Sequence, residues 1–185
     1  MGAAFVTLGK RQRARLAFES AVSTDDTNGL AHLNLAFLCR DDGQLDAARA
    51  HFELALEADP QLDAARAGLS EILLSSPHER ADADRACGLL SELLERNPAS
   101  PDAWVGLGAA LVAAGDRRGA EDCFRQALEL DFGDVGACRG LADLLAREGR
   151  YLEAALLAQR AELRQRPTPP PGRAPIMTDV RPRDE

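Results

Sequence analysis

Residues 101–132 read PDAWVGLGAALVAAGDRRGAEDCFRQALELDF, and the spacing of their small and apolar residues recurs through the chain. Gly115 returns 34 positions later as Gly149, and Ala120 is matched 34 positions before and after by Ala86 and Ala154. A fixed period of this length is typical of solenoids, whose units bury their apolar faces by stacking on their neighbours. The chain is therefore predicted to be a repeat array.

The composition predicts that the repeating unit is helical. Apolar residues make up 45% of the 185 residues and aromatic residues only 4%, so packing must depend on alanine and leucine. Strand-forming residues are sparse, and no stretch alternates apolar and polar residues for long. We therefore expect an all-α fold.

The repeated positions resemble those of the tetratricopeptide repeat (TPR), a helix–turn–helix unit of 34 residues. In the segment quoted above, the matching positions are Trp104, Leu107, Gly108, Leu111, Gly115, Ala120, Phe124 and Ala127. A second segment, 29–60, matches at Leu35, Ala36, Gly43, Ala48, Phe52, Ala55 and Pro60. The resemblance implies a right-handed α-solenoid. In it, phenylalanines fill the gap between hairpins, and Gly43, Gly115 and Gly149 end first helices, where a positive φ is often needed.

The repeat register divides the chain into five units and a tail. The predicted boundaries are a partial N-terminal unit at 1–28, units at 29–62, 63–100, 101–134 and 135–166, and a disordered Pro/Arg-rich tail at 167–185. The 63–100 unit is four residues too long, and the extra residues are placed in its turn, around 75–82. This enlarged turn is either a contact loop or a tolerated insertion.

The resemblance implies that the first helices line a concave groove, which makes the chain a protein–protein interaction module, an adaptor or scaffold. Carrying over the groove positions of the family gives these candidate partner-binding residues: Leu33, Asn34, Phe37, Arg40, Glu71, Val105, Ala109, Arg139, Asp143 and Arg147. The carboxylate clamp of chaperone-binding TPR domains is absent, because Ala64 and Gly68 occupy basic positions. The small residues of the groove either accept apolar anchors of a partner or only set the spacing between helices.

Charge and chemistry narrow the function further. The net charge is −8 and the acidic excess lies in 16–159, so nucleic acid and anionic membranes are not expected as partners. The basic run at 10–15, KRQRAR, is either an anion or localisation patch or a solvated helix start. No cysteine pair or histidine cluster has metal-ligand spacing, and no catalytic motif appears. We therefore expect no metal, no cofactor and no enzymatic activity.

The ends of the array suggest a further interaction. The first unit begins in the middle of a hairpin and is expected to expose Phe5 and Phe18, and no capping helix follows Arg166. Such ends favour a fragment of a longer array, self-association or a partner that covers them. The alternative function is accordingly a regulatory or oligomerising segment of a larger enzyme, such as a transferase.

Two minor expectations complete the interpretation. Arg164, Pro167 and Pro170 have the spacing of ligands for SH3 domains, although such matches are common by chance in Pro-rich tails. No signal peptide or membrane-spanning segment is recognisable, so a cytoplasmic location is expected.

Overall fold

A computed structural model describes residues 10–75 and 80–165, and this part of the chain contains helices and connecting turns but no strand. The helices are α1 (Arg11–Thr24), α2 (Gly29–Asp41), α3 (Leu45–Ala58), α4 (Asp63–Ser75), α5 (Arg80–Arg96), α6 (Pro101–Ala114), α7 (Arg117–Leu130), α8 (Val135–Arg147) and α9 (Tyr151–Gln165).

Each helix packs on the next one along the chain, and α2, α4, α6 and α8 also pack on one another in sequence. These four helices are the first helices of the repeat units and form one layer of the solenoid. The second helices, α3, α5, α7 and α9, together with α1, form the other layer. The all-α solenoid of helix–turn–helix units predicted from the sequence is therefore confirmed.

Local sequence signals explain where the helices begin and end. The first helices α2, α6 and α8 begin with side-chain caps, in which Asn28, Ser100 and Asp134 accept a hydrogen bond from a backbone N–H in the first turn. Three turns between helices contain a glycine with positive φ: Gly43 at 74°, Gly115 at 92° and Gly149 at 81°. The predicted turn geometry is therefore confirmed.

Aromatic wedges join successive hairpins, as the sequence predicted. Phe52 on α3 is fully buried, and a Cβ added to Gly68 on α4 would lie 2.3 Å from its Cζ atom. Phe124 on α7 has the same relation to Gly140 on α8, at 2.4 Å. Only glycine allows the two rings to lie against these helix backbones, because any Cβ would overlap with ring carbons.

The two ends of the described array differ from the expectation. The prediction that Phe18 is exposed is wrong, because this side chain is buried against Leu35 and Leu38 of α2. At the other end, Leu152 and Leu156 of α9 are 85% and 65% exposed. Within the described residues, exposed leucines therefore lie on α9.

Several predictions concern residues outside the described ranges. They are the exposure of Phe5, the four-residue insertion as far as it falls at 76–79, the disorder of 167–185 and the SH3-ligand spacing, which depends on Pro167 and Pro170. The unit boundaries remain predictions.

Candidate functional site

A cavity of about 690 Å³ opens on the layer of first helices, between α4 and α6. Its walls include Ala67 of α4 and Val105 of α6, and its floor is formed by Leu90 and Leu93 of α5. The floor residues are themselves part of the buried core. Because the floor belongs to the core, the base of the cavity is held in place by the packing of the array.

The third interface between successive hairpins, at which α5 packs on α6, explains why the cavity lies here. Leu90 occupies the repeat position of Phe52 and Phe124, and Gly106 occupies the position of Gly68. A Cβ added to Gly106 would lie 3.0 Å from Leu90 Cδ2, so this interface is less tightly filled than the two that contain a phenylalanine. Leucine is shorter than phenylalanine, and the unfilled space reaches the surface formed by the first helices.

Side chains cover the neighbouring junctions of the first helices instead. Between α2 and α4, Arg40 Nη1 donates to Glu71 Oε2 at 2.9 Å, and the guanidinium lies 5.0 Å from the ring centroid of Phe37. Between α6 and α8, Val105 packs over Gly136, where an added Cβ would lie 2.9 Å from Val105 Cγ1. Among the described junctions of the first-helix layer, the one between α4 and α6 is therefore open.

The charged side chains that line the cavity are all acidic: Asp63 and Glu71 of α4 and Asp102 of α6. Asp63 Oδ1 accepts hydrogen bonds from Arg96 and Arg66. Within residues 10–75 and 80–165, Asp102 has no basic group within 4.0 Å. Polar groups are also supplied by Asn97 and Ser100, which precede α6.

The structure brings only part of the predicted groove together. Glu71 and Val105 line the cavity, and Phe37 and Arg40 lie beside it at the α2–α4 junction. Leu33 is buried in the core and is unavailable to a partner without rearrangement.

The other predicted groove residues lie away from the cavity. Asn34 donates through Nδ2 to the carbonyl of Leu30 within its own helix, at 2.6 Å. Ala109, Asp143 and Arg147 are exposed on α6 and α8, and Arg139 Nη2 donates to Gln165 Oε1 at 3.0 Å.

Sequence reasoning missed the floor of the cavity. The candidate positions came from first helices alone, whereas Leu90 and Leu93 belong to a second helix. The signal that could have located the cavity was present, since Leu90 stands where two other units have Phe52 and Phe124.

Outside the cavity, two histidines meet between α2 and α3. The Nδ1 atoms of His32 and His51 lie 3.1 Å apart, and His32 Nε2 contacts the carbonyl oxygen of Asp26 at 3.0 Å. Burial lowers the pKa of His51, electrostatic interactions with His32 and Arg15 lower it further, and Glu19 opposes the shift. This pair is packed into the hairpin and does not reach the groove cavity.

Cys123 on α7 is not an activated nucleophile. Burial raises the pKa of the Cys123 thiol to about 11, with a further contribution from Asp122, so the thiol is protonated at neutral pH. Cys39 and Cys138 are buried as small core residues. Across 10–75 and 80–165, no three His, Cys, Asp or Glu side chains gather as a metal-ligand set.

None of the described helices is both long enough and apolar enough to cross a bilayer.

Comparison with known proteins identifies the repeats. A family model described as tetratricopeptide repeat matches residues 1–63 and 110–170, and a second model of the same description matches residues 78–134. Together these matches cover most of the chain.

Two curated proteins are similar to about half of the chain. Cellulose synthase operon protein C of Xanthomonas axonopodis pv. citri (strain 306) is 38% identical over 87 residues, which is 47% of this chain and 6% of that protein. Human tetratricopeptide repeat protein 7A is 34% identical over 89 residues, 48% of this chain and 10% of that protein. The matched region therefore spans a tenth or less of either relative.

Solved structures share the fold at low identity. MamA 41-end from Desulfovibrio magneticus RS-1 superposes with a TM-score of 0.76 at 15% identity, covering 88% of this chain and 89% of that one. YrrB, described as a TPR protein with an unusual peptide-binding site, superposes with a TM-score of 0.74 at 19% identity, covering 89% and 82%. At these identities the similarity establishes the shared fold alone.

Proposed function

The chain belongs to the tetratricopeptide repeat family, and on that premise we propose that it is a protein–protein interaction module that binds a segment of a partner protein in its concave groove. Repeats of this family are typical of non-catalytic interaction modules. The observation that carries the proposal is the cavity between α4 and α6, which has an apolar floor and opens on the concave face.

The size of the cavity supports binding of a side chain together with adjacent backbone. Its volume of about 690 Å³ falls within the roughly 300–1,000 Å³ that is usual for ligand pockets. Burying an apolar anchor residue there would remove it from water and contribute about 1.5–3 kcal/mol. Asn97 and Ser100 could hydrogen-bond to the partner's backbone.

The alternative is that the small groove residues only set the spacing between helices. It explains the α6 wall of the cavity better than the α4 wall. Gly106 does serve spacing, because an added Cβ would press on Leu90. Ala64 and Ala67 are exposed at the cavity, so helix packing does not require their small size. Their small side chains instead leave the cavity open to a partner.

The proposed contact surface extends beyond the cavity along the predicted groove. Phe37 and Arg40 would meet one flank of the bound segment, and Ala109, Asp143 and Arg147 would meet the other. We further propose that the surface takes neither nucleic acid nor anionic membrane, because the charged groups lining the cavity are acidic.

Selection from a library of random 12-residue peptides displayed on phage tests this function. Peptides enriched on the wild-type chain are expected to lose binding when Ala67→Phe fills the cavity. They should keep binding to Ala50→Phe, which places the same side chain at an exposed position of α3 outside the cavity. Failure to enrich any peptide, or equal binding by the two variants, would contradict the proposal.

A second candidate function, self-association or attachment within a larger assembly, rests on α9. Leu152, Leu156 and Leu163 follow one another at helical spacing and are all more than half exposed. If this stripe is an interface, light scattering should show a concentration-dependent oligomer in the wild type. A Leu152→Gln/Leu156→Gln variant should then be monomeric, whereas a wild-type monomer at all concentrations would argue against this candidate.

A further inference from the structure

We infer that the groove selects a segment in which an apolar anchor residue stands between two basic residues. This inference rests on the proposed function, because it concerns the chemistry of the partner at the same cavity. The apolar floor accounts for the anchor, and the acidic side chains Asp63, Glu71 and Asp102 account for the basic flanks.

The charged side chains that line the cavity are acidic; from outside the lining, Arg66 and Arg96 pair with Asp63 and Arg40 pairs with Glu71. No lysine, arginine or histidine is among the described residues that line the cavity. Asp63 and Asp102 stand in the first turns of the two helices that flank the cavity, where the helix dipole favours a carboxylate. The first turns of α2 and α8, in the same layer, carry no acidic residue. The acidic groups are thus placed beside the cavity.

These carboxylates retain the capacity to accept further donors. Asp63 uses Oδ1 for both of its arginine partners, and Glu71 uses Oε2 for Arg40. Within the described ranges, Asp63 Oδ2 and Glu71 Oε1 accept no hydrogen bond, and Asp102 forms no ion pair. An ionised carboxylate has about four lone-pair sites on its two oxygens, so an incoming arginine or lysine can be bound without displacing the existing partners.

The spacing of the acids along α4 sets the spacing of the ligand's charges. Asp63 and Glu71 are eight residues apart on one helix, which corresponds to about 12 Å at 1.5 Å per residue. An extended peptide covers about that distance in four residues. Because alternate side chains of an extended strand point the same way, the residue midway between the two basic residues faces the cavity with them. The favoured pattern is therefore basic–x–apolar–x–basic.

An acidic or neutral segment would gain less binding free energy at this cavity than a basic one. Two carboxylates brought to the mouth of this cavity would meet Asp102 and the free oxygens of Asp63 and Glu71, and like charges at short range repel. A neutral segment would still bury its anchor residue but would form no ion pair. The order of affinity should therefore be basic, then neutral, then acidic.

Chemical-shift titration of the isotope-labelled full chain tests this order with four synthetic peptides. The peptides are GSRSFSRSG, its neutral form GSQSFSQSG, its acidic form GSESFSESG, and GSRSSSRSG, which lacks the anchor residue. The basic peptide should shift the backbone amides of Ala67 and Gly106 and bind about threefold tighter than the neutral form, from ion pairs typical of exposed sites. It should bind at least about tenfold tighter than the acidic form. Removing the anchor residue should abolish the shifts.

Two matched variants and added salt identify the source of the selectivity. Asp102→Asn should weaken binding of the basic peptide about threefold and leave the neutral peptide unaffected. Asp46→Asn removes an acid from the first turn of α3, which lies outside the cavity, and should change neither affinity. Raising NaCl from 0.05 M to 0.5 M should bring the basic and neutral peptides to similar affinity, because salt screens exposed charges.

Each contrary result has a distinct meaning. Equal shifts at Ala67 and Gly106 with the basic, neutral and acidic peptides would overturn the inference and leave the proposed groove function intact. Equal weakening by Asp102→Asn and Asp46→Asn would overturn it as well, since overall charge rather than the cavity would be responsible. No shift with any of the four peptides overturns the inference, and the phage selection then decides separately whether the groove binds peptides.

Discussion

The second hairpin interface, between α3 and α4, and the third, between α5 and α6, use equivalent repeat positions. They are filled to different extents. At the second, the ring of Phe52 lies against Gly68 and leaves no room for a Cβ. At the third, a Cβ added to Gly106 would lie 3.0 Å from Leu90 Cδ2, a less severe overlap, and a cavity of about 690 Å³ opens beside it. One wedge residue can therefore decide whether a junction of this solenoid is closed or leaves a cavity.

The concave surface shows the same contrast. At the α2–α4 junction, Arg40 and Glu71 form an ion pair, and Phe37 packs edge-on against Phe52 at 5.3 Å between ring centroids. At the α4–α6 junction, Ala64 and Ala67 leave the surface uncovered. Long side chains close one part of the groove and short ones open the next.

Removing the wedges should have the largest effect on stability. Phe52→Ala is expected to lower the free energy of unfolding by about 3–5 kcal/mol, because the side chain is fully buried and its cavity would be enclosed. Leu90→Ala should cost less, about 2 kcal/mol, because Leu90 already borders an open cavity. Urea unfolding followed by circular dichroism measures both values, and equal losses would contradict the difference in packing.

Adding a methyl group to the facing glycines should rank the two interfaces in the same order, this time through overpacking. Gly68→Ala should destabilise by about 1–3 kcal/mol, since the new Cβ would lie 2.3 Å from Phe52 Cζ. Gly106→Ala should cost less than about 1 kcal/mol, because Leu90 needs to move only slightly. Gly88→Ala is the control and should stabilise by about 0.5–1 kcal/mol, because no heavy atom lies within 4 Å of its added Cβ. Urea unfolding of the three variants gives the order, and a Gly106 variant as unstable as the Gly68 variant would contradict it.

Giving the third interface the phenylalanine of the second should weaken peptide binding with little loss of stability. Leu90→Phe is expected to be accommodated within about 1.5 kcal/mol, because Gly106 offers the same space that Gly68 and Gly140 offer their phenylalanines. The added ring should occupy the cavity and reduce the affinity for selected peptides at least about tenfold. Fluorescence anisotropy of a labelled peptide measures the loss. Unchanged affinity in a folded variant would show that the cavity is not the binding site.

Opening the closed junction should change stability little. A double-mutant cycle with Arg40→Ala and Glu71→Ala is expected to give a coupling energy of about 0.2–1 kcal/mol, because the pair is exposed to solvent. Urea unfolding of the two single variants and the double variant supplies the cycle. A coupling well above this range would show that the ion pair holds α2 and α4 together.

The smallest effect at neutral pH is expected from the histidine pair in the α2–α3 hairpin. Burial lowers the pKa of His51, so the unfolded chain takes up a proton near pH 6.5 more readily than the folded chain does. The stability that His51 contributes should be complete above about pH 6.5 and lost as the pH falls below it. His51→Gln should flatten this dependence in urea unfolding between pH 7.5 and 5.5. An equal slope in both proteins would assign the dependence to other groups.

How far the sequence predicts the fold can be judged from particular residues. The 34-residue period located Gly43, Gly115 and Gly149 in their turns, because a helix end with positive φ demands a particular residue type. It also identified Phe52 and Phe124 as wedges. It misjudged Phe18, whose burial depends on the position of Leu35 and Leu38 in the neighbouring helix. Exposure at the end of an array depends on packing that a single unit does not encode.

The sequence by itself determined the repeat, the helical layers and the turns, because each depends on a residue type at a fixed spacing within one hairpin. Only the tertiary structure decided where the groove is open. Glu71 was predicted as a groove residue, but its pairing with Arg40 and its place at the cavity mouth depend on three first helices coming together. The cavity exists because Leu90, Gly106 and Ala67, from three helices, together leave space unfilled, and volume shared between helices has no signature within one repeat.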